Sequence, residues 1–262
     1  MSERKPKLSD LEEMGRAAGE ILRAGFGKVH DIDRKGVIDL VTEVDKEAEA
    51  FLLQQIEAHF PDSQAVGEEG GRLSGSGSGK WYIDPIDGTT NYAHGLPIFC
   101  VSIAYEEAGE LAFGVVYNPI QEEFYAAERG GGAFLNGRPL QVNQVNEVAN
   151  SLLVTGFPYD IRTNPDNNLA EYARFSLRTH GVRRLGAAAL DLCYVAAGYF
   201  DGYWEKRLNV WDVAAGALVV REAGGKVTDA NGAPDFMTDT ESILAANPKL
   251  HSEMLKILQE ED

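Results

Sequence analysis

Cysteine is scarce in this chain, whose 262 residues include only Cys100 and Cys193. Both stand in apolar surroundings without a CxxC pair or a histidine partner, which predicts two buried thiols rather than a disulfide or a zinc site. No apolar run approaches the roughly 18 residues of a membrane span. The basic start MSERKPKLSD is not followed by an apolar segment of signal-peptide length. We therefore expect a cytoplasmic protein with no membrane partner and no redox chemistry.

Positive charge is also in short supply. The 24 Lys and Arg residues face 41 Asp and Glu residues, which gives a formal net charge of −17. Proteins bind nucleic acids and anionic membranes through basic surface patches. Because this chain is strongly acidic, we expect no nucleic acid partner. The same excess sets a condition on a phosphorylated substrate, because local groups or metal ions must reverse the field where a phosphate binds.

Helical patterns open the chain. The segment SDLEEMGRAAGEILRAGF predicts an amphipathic helix with Ser9 and Glu12 in capping-box spacing. The segment KEAEAFLLQQIEAHF predicts a second helix, with Asp45 as its N-cap and its end before Pro61. Glycine and serine dominate residues 70–79, which predicts a flexible loop.

Strand patterns follow from Trp81 to Leu140 and predict an antiparallel sheet in which Asn136-Gly137 forms a tight hairpin turn. After Ser151, helices and short strands alternate. No internal repeat or long linker is evident, so we predict one α/β (α+β) layered domain over residues 1–262. Its N-terminal α+β part extends to about residue 145, and its C-terminal α/β part covers about 146–262.

Acidic residues stand where apolar or strand-like segments end and the backbone turns. Each one, taken alone, is explained as an N-cap or turn former. Taken together, carboxylates without His or Cys repel one another unless hard cations neutralise them, and oxygen ligands suit Mg²⁺ or Mn²⁺ better than Zn²⁺. The set comprises Asp45, Glu68, Glu69, Asp84, Asp87 and Asp212.

Three segments occur in this order along the chain: GEE, WYIDPIDGTTNYAHGLPIFCVSIAY and WDVAAGALVVREAGG. Together they resemble the signature motifs of the inositol monophosphatase family of Mg²⁺-dependent, lithium-sensitive phosphatases. The resemblance covers nearly the whole chain, from DLVTEVD through the second aspartate motif. It implies an αβαβα sandwich of the sugar phosphatase type, two or three Mg²⁺ ions that Mn²⁺ could replace, and a homodimer.

By this resemblance the metal ligands are the carboxylates of Glu68, Asp84, Asp87 and Asp212 and the backbone carbonyl of Ile86. The residue chemistry agrees. Proline at 85 fixes its own φ and favours an extended Asp84, so the turn presents both aspartates to one side. Two ions about 3.5 to 4 Å apart would clamp the attacking and leaving oxygens of a displacement at phosphorus.

The resemblance also implies the catalytic groups. Thr89 and Asp45 form a relay that orients or deprotonates a water, and Glu68 is the other candidate base. Gly88 and Thr89 lie where a helix should begin, and backbone N–H groups there form a phosphate pocket. A purely structural turn at Gly88 is the alternative.

Substrate recognition involves further predicted contacts. Glu205 stands seven residues before Asp212, where inositol-specific relatives place a glutamate that binds ring hydroxyls; an ordinary surface glutamate is the alternative. Ala187 replaces the Ser or Thr of many members, so one hydroxyl contact is missing. The predicted substrate-binding residues are Asp87, Gly88, Thr89, Gly186, Ala188, Glu205 and Asp212.

Three basic residues have open roles. Lys35 could complement phosphate or be a lone surface lysine. Arg183 and Arg184 could face a dimer partner or the mouth of the substrate site, and the sequence does not choose between these positions.

The expected activity is Mg²⁺-dependent hydrolysis of a small polyol or sugar phosphate, most simply myo-inositol 1-phosphate, by direct attack of water. Fructose-1,6-bisphosphatase activity, alone or alongside, is the nearest rival, followed by histidinol-phosphatase activity; adenosine 3′,5′-bisphosphate is a further substrate among relatives. A noncatalytic metal-dependent binding protein is the alternative of another class.

Overall fold

Helices and sheets alternate through the part of the chain that can be described. The computed structural model describes residues 4–28, 32–34, 40–237 and 241–260. Within these ranges the α-helices are α1 (Leu8–Gly25), α2 (Glu43–His59), α3 (Thr89–Ala93), α4 (Leu169–Ser176), α5 (Ala188–Ala196), α6 (Val210–Glu222) and α7 (Pro248–Leu258). The strands are β1 (Ile32–Arg34), β2 (Leu40–Thr42), β3 (Gln64–Gly67), β4 (Arg72–Leu73), β5 (Gly79–Asp87), β6 (Cys100–Glu107), β7 (Glu110–Asn118), β8 (Glu123–Glu128), β9 (Gly132–Leu135), β10 (Arg138–Pro139), β11 (Leu152–Thr155), β12 (Gly181–Arg183), β13 (Gly202–Lys206), β14 (Lys226–Thr228) and β15 (Ser242–Ala246).

An eight-stranded sheet has the strand order β10-β9-β8-β7-β6-β5-β3-β4. Its neighbours pair antiparallel except β3 and β5, which are parallel. Asn136 and Gly137 connect β9 to β10 with φ of 50° and 76°, the left-handed conformation that a tight hairpin turn needs. The antiparallel sheet predicted for this region is confirmed.

A five-stranded sheet has the order β12-β11-β13-β15-β14. The first three strands are parallel, and β15 pairs antiparallel with β13 and β14. Helix α6 lies between this sheet and the eight-stranded one, and it is apolar around its whole circumference because both of its sides are buried.

Three apolar cores hold the layers together. One joins α1 and α2 to the outer face of the eight-stranded sheet, the second packs α5 and α6 between the sheets, and the third joins α4 and α7 to the far face of the five-stranded sheet. The order helix, sheet, helix, sheet, helix is the predicted αβαβα sandwich. Because helices cover both faces of β6, this strand is almost continuously buried rather than alternating.

Two predicted helix caps are wrong. Helix α1 begins at Leu8, so Ser9 lies inside it, and the first turn is closed by Asp10, whose Oδ2 accepts from the Lys7 backbone N–H at 2.9 Å. Helix α2 begins at Glu43, two residues before the predicted N-cap Asp45. The Asp45 carboxylate is therefore turned into the protein, where it is fully buried.

The structure also tests the predictions for the glycine-serine segment and the cysteines. The glycine-serine segment is not all loop, since it contains β4, which pairs with β3. Both cysteines are buried and free, as predicted. Of the helices in the described ranges, none combines the length and apolar character needed to cross a bilayer.

Candidate active site

A cavity of ≈ 100 Å³ lies at the end of β5, between the two sheets. Of the residues predicted for catalysis, metal binding or substrate binding, all but Asp45 contribute to its wall. These residues are Glu68, Asp84, Ile86, Asp87, Gly88, Thr89, Gly186, Ala188, Glu205 and Asp212. The structure therefore brings residues from five separate segments to one place, while their individual roles stay predictions.

A bulge at the end of β5 explains how Asp84 and Asp87 reach the same cavity. Residues three apart on a regular strand point to opposite faces. Here Asp84 pairs with Ser102 and Asp87 with Cys100, so β5 advances three residues while β6 advances two. The extra residue rotates the chain and returns both carboxylates to one side.

Gly88 completes the turn at a position where only glycine fits. Its φ is 96°, and an added Cβ would lie 2.9 Å from the Ile98 carbonyl oxygen. A side chain would therefore meet both an unfavourable backbone conformation and a backbone atom that cannot move freely. The conformation sets the start of α3 directly after the two aspartates.

The carboxylate of Asp87 is tied to the following helical layer. Its Oδ1 accepts from the Ala188 N–H at 3.0 Å, and its Oδ2 accepts from the Ala189 N–H at 2.7 Å and from the Cys100 thiol at 3.5 Å. Burial raises the pKa of Asp87 to about 6, while these donors act in the opposite direction. Asp87 is thus a positioned carboxylate that links β5 to α5.

Asp84 has the opposite surroundings. It is buried, and its Oδ1 accepts no hydrogen bond from the described residues. Burial raises its pKa well above the ordinary value, and the neighbouring carboxyls of Glu68, Asp87 and Asp212 raise it further. A buried acceptor without a donor, surrounded by other acids, is an arrangement that a hard cation would neutralise.

Asp212 enters the cavity from the first turn of α6. Its Oδ2 accepts from the Asn209 backbone N–H at 2.7 Å, which closes the helix start. Burial raises the pKa of Asp212 to about 8, with Asp87 and Glu205 adding to the shift. Within the described ranges, no three acid, histidine or cysteine side chains form a ready-made metal cage.

Thr89 connects the cavity to Asp45. The Thr89 hydroxyl lies 3.2 Å from Asp45 Oδ1 and 3.0 Å from the Ile86 carbonyl oxygen, and its one proton can be donated to either acceptor. Asp45 is fully buried on α2 and reaches the cavity through this hydroxyl. The two residues have the contact that a proton relay needs.

Glu205 is not the surface glutamate that the alternative reading allowed. It is 8% exposed, it lines the cavity, and its Oε2 accepts from the Tyr203 hydroxyl at 2.7 Å. Burial raises its pKa to about 7, whereas the Tyr203 hydrogen bond lowers it. A protonatable carboxyl with one free edge toward the cavity can bind a substrate hydroxyl as acceptor or donor.

Two arginines give the cavity its positive charge. Arg184 lines the cavity wall, whereas Arg183 does not. Of these two neighbours, Arg184 is therefore the one at the cavity. Arg207, which the sequence reading missed, also lines the wall; it has φ of 60° and pairs with Asp160 at 3.2 Å. Its position two residues after Glu205 was the sequence signal that could have identified it.

The prediction for Lys35 lies outside the described residues.

The chain is similar to known proteins over almost its full length. It matches the family described as "Inositol monophosphatase family" over residues 6–262. The inositol-1-monophosphatase of Mesorhizobium japonicum is 41% identical over 255 residues, 96% of each chain. The Nus factor SuhB of Pseudomonas aeruginosa is 43% identical over 263 residues, 97% of this chain and 96% of that one.

The chain is also similar to solved structures over almost its full length. The inositol monophosphatase from Anabaena (Nostoc) has a TM-score of 0.87 and 43% identity, with 96% of this chain and 94% of that chain covered. The extragenic suppressor protein suhB from Bartonella henselae has a TM-score of 0.91 and 37% identity, with 97% and 98% covered.

Proposed function

The chain is a phosphatase of the inositol monophosphatase family, and from that premise we propose that it hydrolyses a small polyol or sugar phosphate in a Mg²⁺-dependent reaction, most simply myo-inositol 1-phosphate to inositol and phosphate. One observation carries the proposal. The bulged end of β5 turns Asp84 and Asp87 into the same cavity as Glu68 and Asp212, and Asp84 Oδ1 has no donor among the described residues.

Glu68, Asp84, Asp87 and Asp212, with the Ile86 carbonyl, would hold two or three Mg²⁺ ions, for which Mn²⁺ could substitute. When bound, the ions would neutralise the acids and supply Lewis acidity toward the phosphoryl group and a water. The ligand atoms are all oxygen and include the buried Asp84 Oδ1, which accepts no hydrogen bond from the described residues, and this chemistry fits this class of ion.

Thr89 and Asp45 would handle the proton of the attacking water. The Thr89 hydroxyl accepts the water proton as it gives its own to Asp45 Oδ1, 3.2 Å away. The water oxygen forms a bond to phosphorus while the bond from phosphorus to the alcohol oxygen breaks, and the departing oxygen takes a proton from solvent water to leave as the alcohol. Glu68 is the alternative base. Because water attacks directly, no phosphorylated enzyme forms.

The rest of the wall would hold the substrate. Backbone N–H groups at Gly88 and Thr89 face the phosphate, and Glu205 accepts from ring hydroxyls. Gly186 and Ala188 line the opposite side. The Ala188 N–H already binds Asp87, so the contact of Ala188 with substrate is through its partly open surface.

A second candidate, fructose-1,6-bisphosphatase activity, is favoured by the two arginines at the mouth. Arg184 and Arg207 both line the cavity, and a second phosphate is the group that paired guanidiniums bind well. Histidinol phosphate offers no second anion and is the weaker rival. A noncatalytic metal-binding role remains the alternative of another class.

The test is phosphate release from inositol 1-phosphate, fructose 1,6-bisphosphate, histidinol phosphate and adenosine 3′,5′-bisphosphate, each with Mg²⁺ and with EDTA. Inositol 1-phosphate should be the best substrate, with its turnover abolished by EDTA and reduced by Li⁺. A preference for the bisphosphate would favour the second candidate. Mg²⁺ binding by calorimetry without turnover of any substrate would favour a binding protein.

We also propose a cytoplasmic homodimer. Several large apolar side chains are exposed outside the cavity, among them Leu96 at 50%, Leu169 at 49% and Leu177 at 88%. Leu169 begins α4 and Leu177 directly follows its end, and burying them against a second copy would remove apolar surface from water. Unpaired thiols at both cysteines suit a reducing compartment. Sedimentation equilibrium measures the oligomeric state.

A further inference from the structure

Tyr203 is connected to the cavity wall through Glu205, which lines the cavity. It stands two residues before Glu205 on β13, so both side chains project from the same face of the five-stranded sheet. Tyr203 is fully buried, and its hydroxyl donates to Glu205 Oε2 at 2.7 Å. The hydroxyl, which is the only polar group of the Tyr203 side chain, therefore binds Glu205, the one carboxylate of β13 that lines the cavity.

Gly156 confines the same carboxylate from another side. A Cβ added at Gly156 would lie 2.1 Å from Glu205 Oε1 and 2.2 Å from Oε2. The carboxylate thus packs against bare backbone on one side and is hydrogen bonded to Tyr203 at one oxygen. These two contacts restrict the orientation of Glu205 before a substrate binds.

The groups around Glu205 oppose one another in their effect on its charge, and the Tyr203 hydrogen bond is one of those that favour the carboxylate. Burial and the nearby Asp87 both favour the neutral form of Glu205, whereas the Tyr203 hydroxyl and Arg184 favour its carboxylate. Asp191 lies in the same buried layer on α5, and neither of its oxygens has a partner in the described part of the chain. Tyr203 is the uncharged donor in a group otherwise rich in acids.

We propose that Tyr203 is a positioning residue for substrate selection: its hydroxyl holds Glu205 Oε2 so that Oε1 meets a hydroxyl of the polyol part of the substrate. The inference rests on the proposed function, because it assigns a role within that substrate site. It adds a residue that touches neither the phosphate nor the reacting atoms.

The test compares Tyr203→Phe with Tyr82→Phe. Tyr82 is a matched control, because its hydroxyl also donates to a glutamate, Glu106 Oε2, at 2.7 Å, and it does not line the candidate cavity. Each variant is assayed with inositol 1-phosphate and with p-nitrophenyl phosphate, whose alcohol part carries no hydroxyl for Glu205 to bind. Both enzymes are first checked for cooperative unfolding.

For Tyr203→Phe, kcat/KM should fall about tenfold with inositol 1-phosphate, chiefly through KM, and less than about twofold with the aryl ester. Tyr82→Phe should leave the ratio of the two substrates unchanged. Equal losses with both substrates in Tyr203→Phe would overturn the positioning role. Absence of Mg²⁺-dependent hydrolysis of either ester by the unmodified enzyme would instead overturn the proposed function and the inference with it.

A double-mutant cycle separates positioning from general packing. In a Glu205→Gln background, Tyr203→Phe should add less than about twofold to the loss with inositol 1-phosphate, because the group that Tyr203 orients is already changed. A full additional tenfold loss would contradict the proposal. Gly156→Ala approaches the carboxylate from the other side and should give the same substrate-selective loss; an unchanged substrate ratio in that variant would also count against it.

Discussion

The two sheets meet the cavity with different chemistry. The end of β5 contributes Asp84 and Asp87, and Asp84 Oδ1 has no donor among the described residues. The end of β13 contributes Glu205, held by Tyr203, and the nearby Arg207, paired with Asp160. Acids predominate in the first region, where the proposed cations would neutralise them, whereas in the second region Tyr203 and Arg184 favour the carboxylate of Glu205. Under the proposed function, catalysis belongs to the β5 side and substrate selection to the β13 side.

Asp84→Asn should give the largest effect on the β5 side. The substitution removes a charge from the acid cluster at nearly constant volume, so turnover should fall by about three orders of magnitude while the protein stays folded. Its thermal midpoint in EDTA should not fall, because the substitution removes repulsion from the carboxyls of Glu68, Asp87 and Asp212, and the amide nitrogen can replace Oδ1, which accepts no hydrogen bond from a described residue. Steady-state assays and thermal unfolding measure both quantities.

Asp87→Asn is the matched comparison within the same region. Its turnover should fall as far, but here the fold also weakens, by about 1 to 3 kcal/mol, because an amide cannot accept from both Ala188 and Ala189 with oxygen. Equal stability of the two variants in EDTA would show that the difference in hydrogen bonding has no energetic consequence.

Thr89→Ala should lower kcat by about two to three orders of magnitude without a matching change in Mg²⁺ affinity. The reason is that the hydroxyl contacts Asp45 and would relay a proton, which is a contribution typical of general base catalysis. Thr89→Ser retains the hydroxyl and should recover most of the activity. Failure of serine to restore turnover would argue that the threonine acts through packing.

On the β13 side, Arg184→Ala should affect substrates by their charge. A bisphosphate should lose about tenfold in kcat/KM, since one guanidinium contact is removed, and a monophosphate should lose less than about threefold. Arg183→Ala is the control, because this neighbour does not line the cavity. Similar losses for both kinds of substrate would contradict a second anion site.

The smallest effect concerns pH. The pKa of Asp212 is raised from 3.8 to about 8, so the folded protein holds more protons than the unfolded chain between these values and loses stability as pH rises. His251, whose pKa is lowered to about 4, acts oppositely but only below about pH 6.5. Between pH 7 and 8, metal-free protein should therefore lose on the order of 1 kcal/mol.

Urea unfolding in EDTA at both pH values measures this loss. Asp212→Asn should weaken the dependence, with the raised pKa values of Glu205 and Asp84 retaining part of it, and saturating Mg²⁺ should reduce it further because the ion binds deprotonated carboxylates. Stability that rises from pH 7 to 8 in the absence of metal would contradict the assigned direction.

The β5 side was largely predictable from sequence because its residues are close together in the chain. Pro85 and Gly88 identified a turn with two aspartates, and the structure adds the bulge that brings them to one side. The relay role of Asp45 stays a prediction, whereas its predicted position as a helix N-cap is wrong. Its helix begins at Glu43, directly after β2 ends at Thr42, so Asp45 lies in the first turn.

The β13 side was less predictable because its contacts join distant segments. Gly156, which follows β11, confines Glu205 only after β11 and β13 pair in parallel. Nothing local in the sequence marks Arg184 rather than Arg183 as the residue at the cavity. Motifs within one segment therefore indicated the chemistry, while the selection of substrate depends on the three-dimensional arrangement.

The most direct measurement is phosphate release from inositol 1-phosphate by EDTA-treated protein as Mg²⁺ is added back, run alongside Asp84→Asn. If the acids at the end of β5 form a catalytic metal site, activity is absent without Mg²⁺, rises to saturation as it is added, and stays about a thousandfold lower in the variant. Full activity in EDTA, or an Asp84→Asn enzyme as active as the unmodified one, would contradict that role.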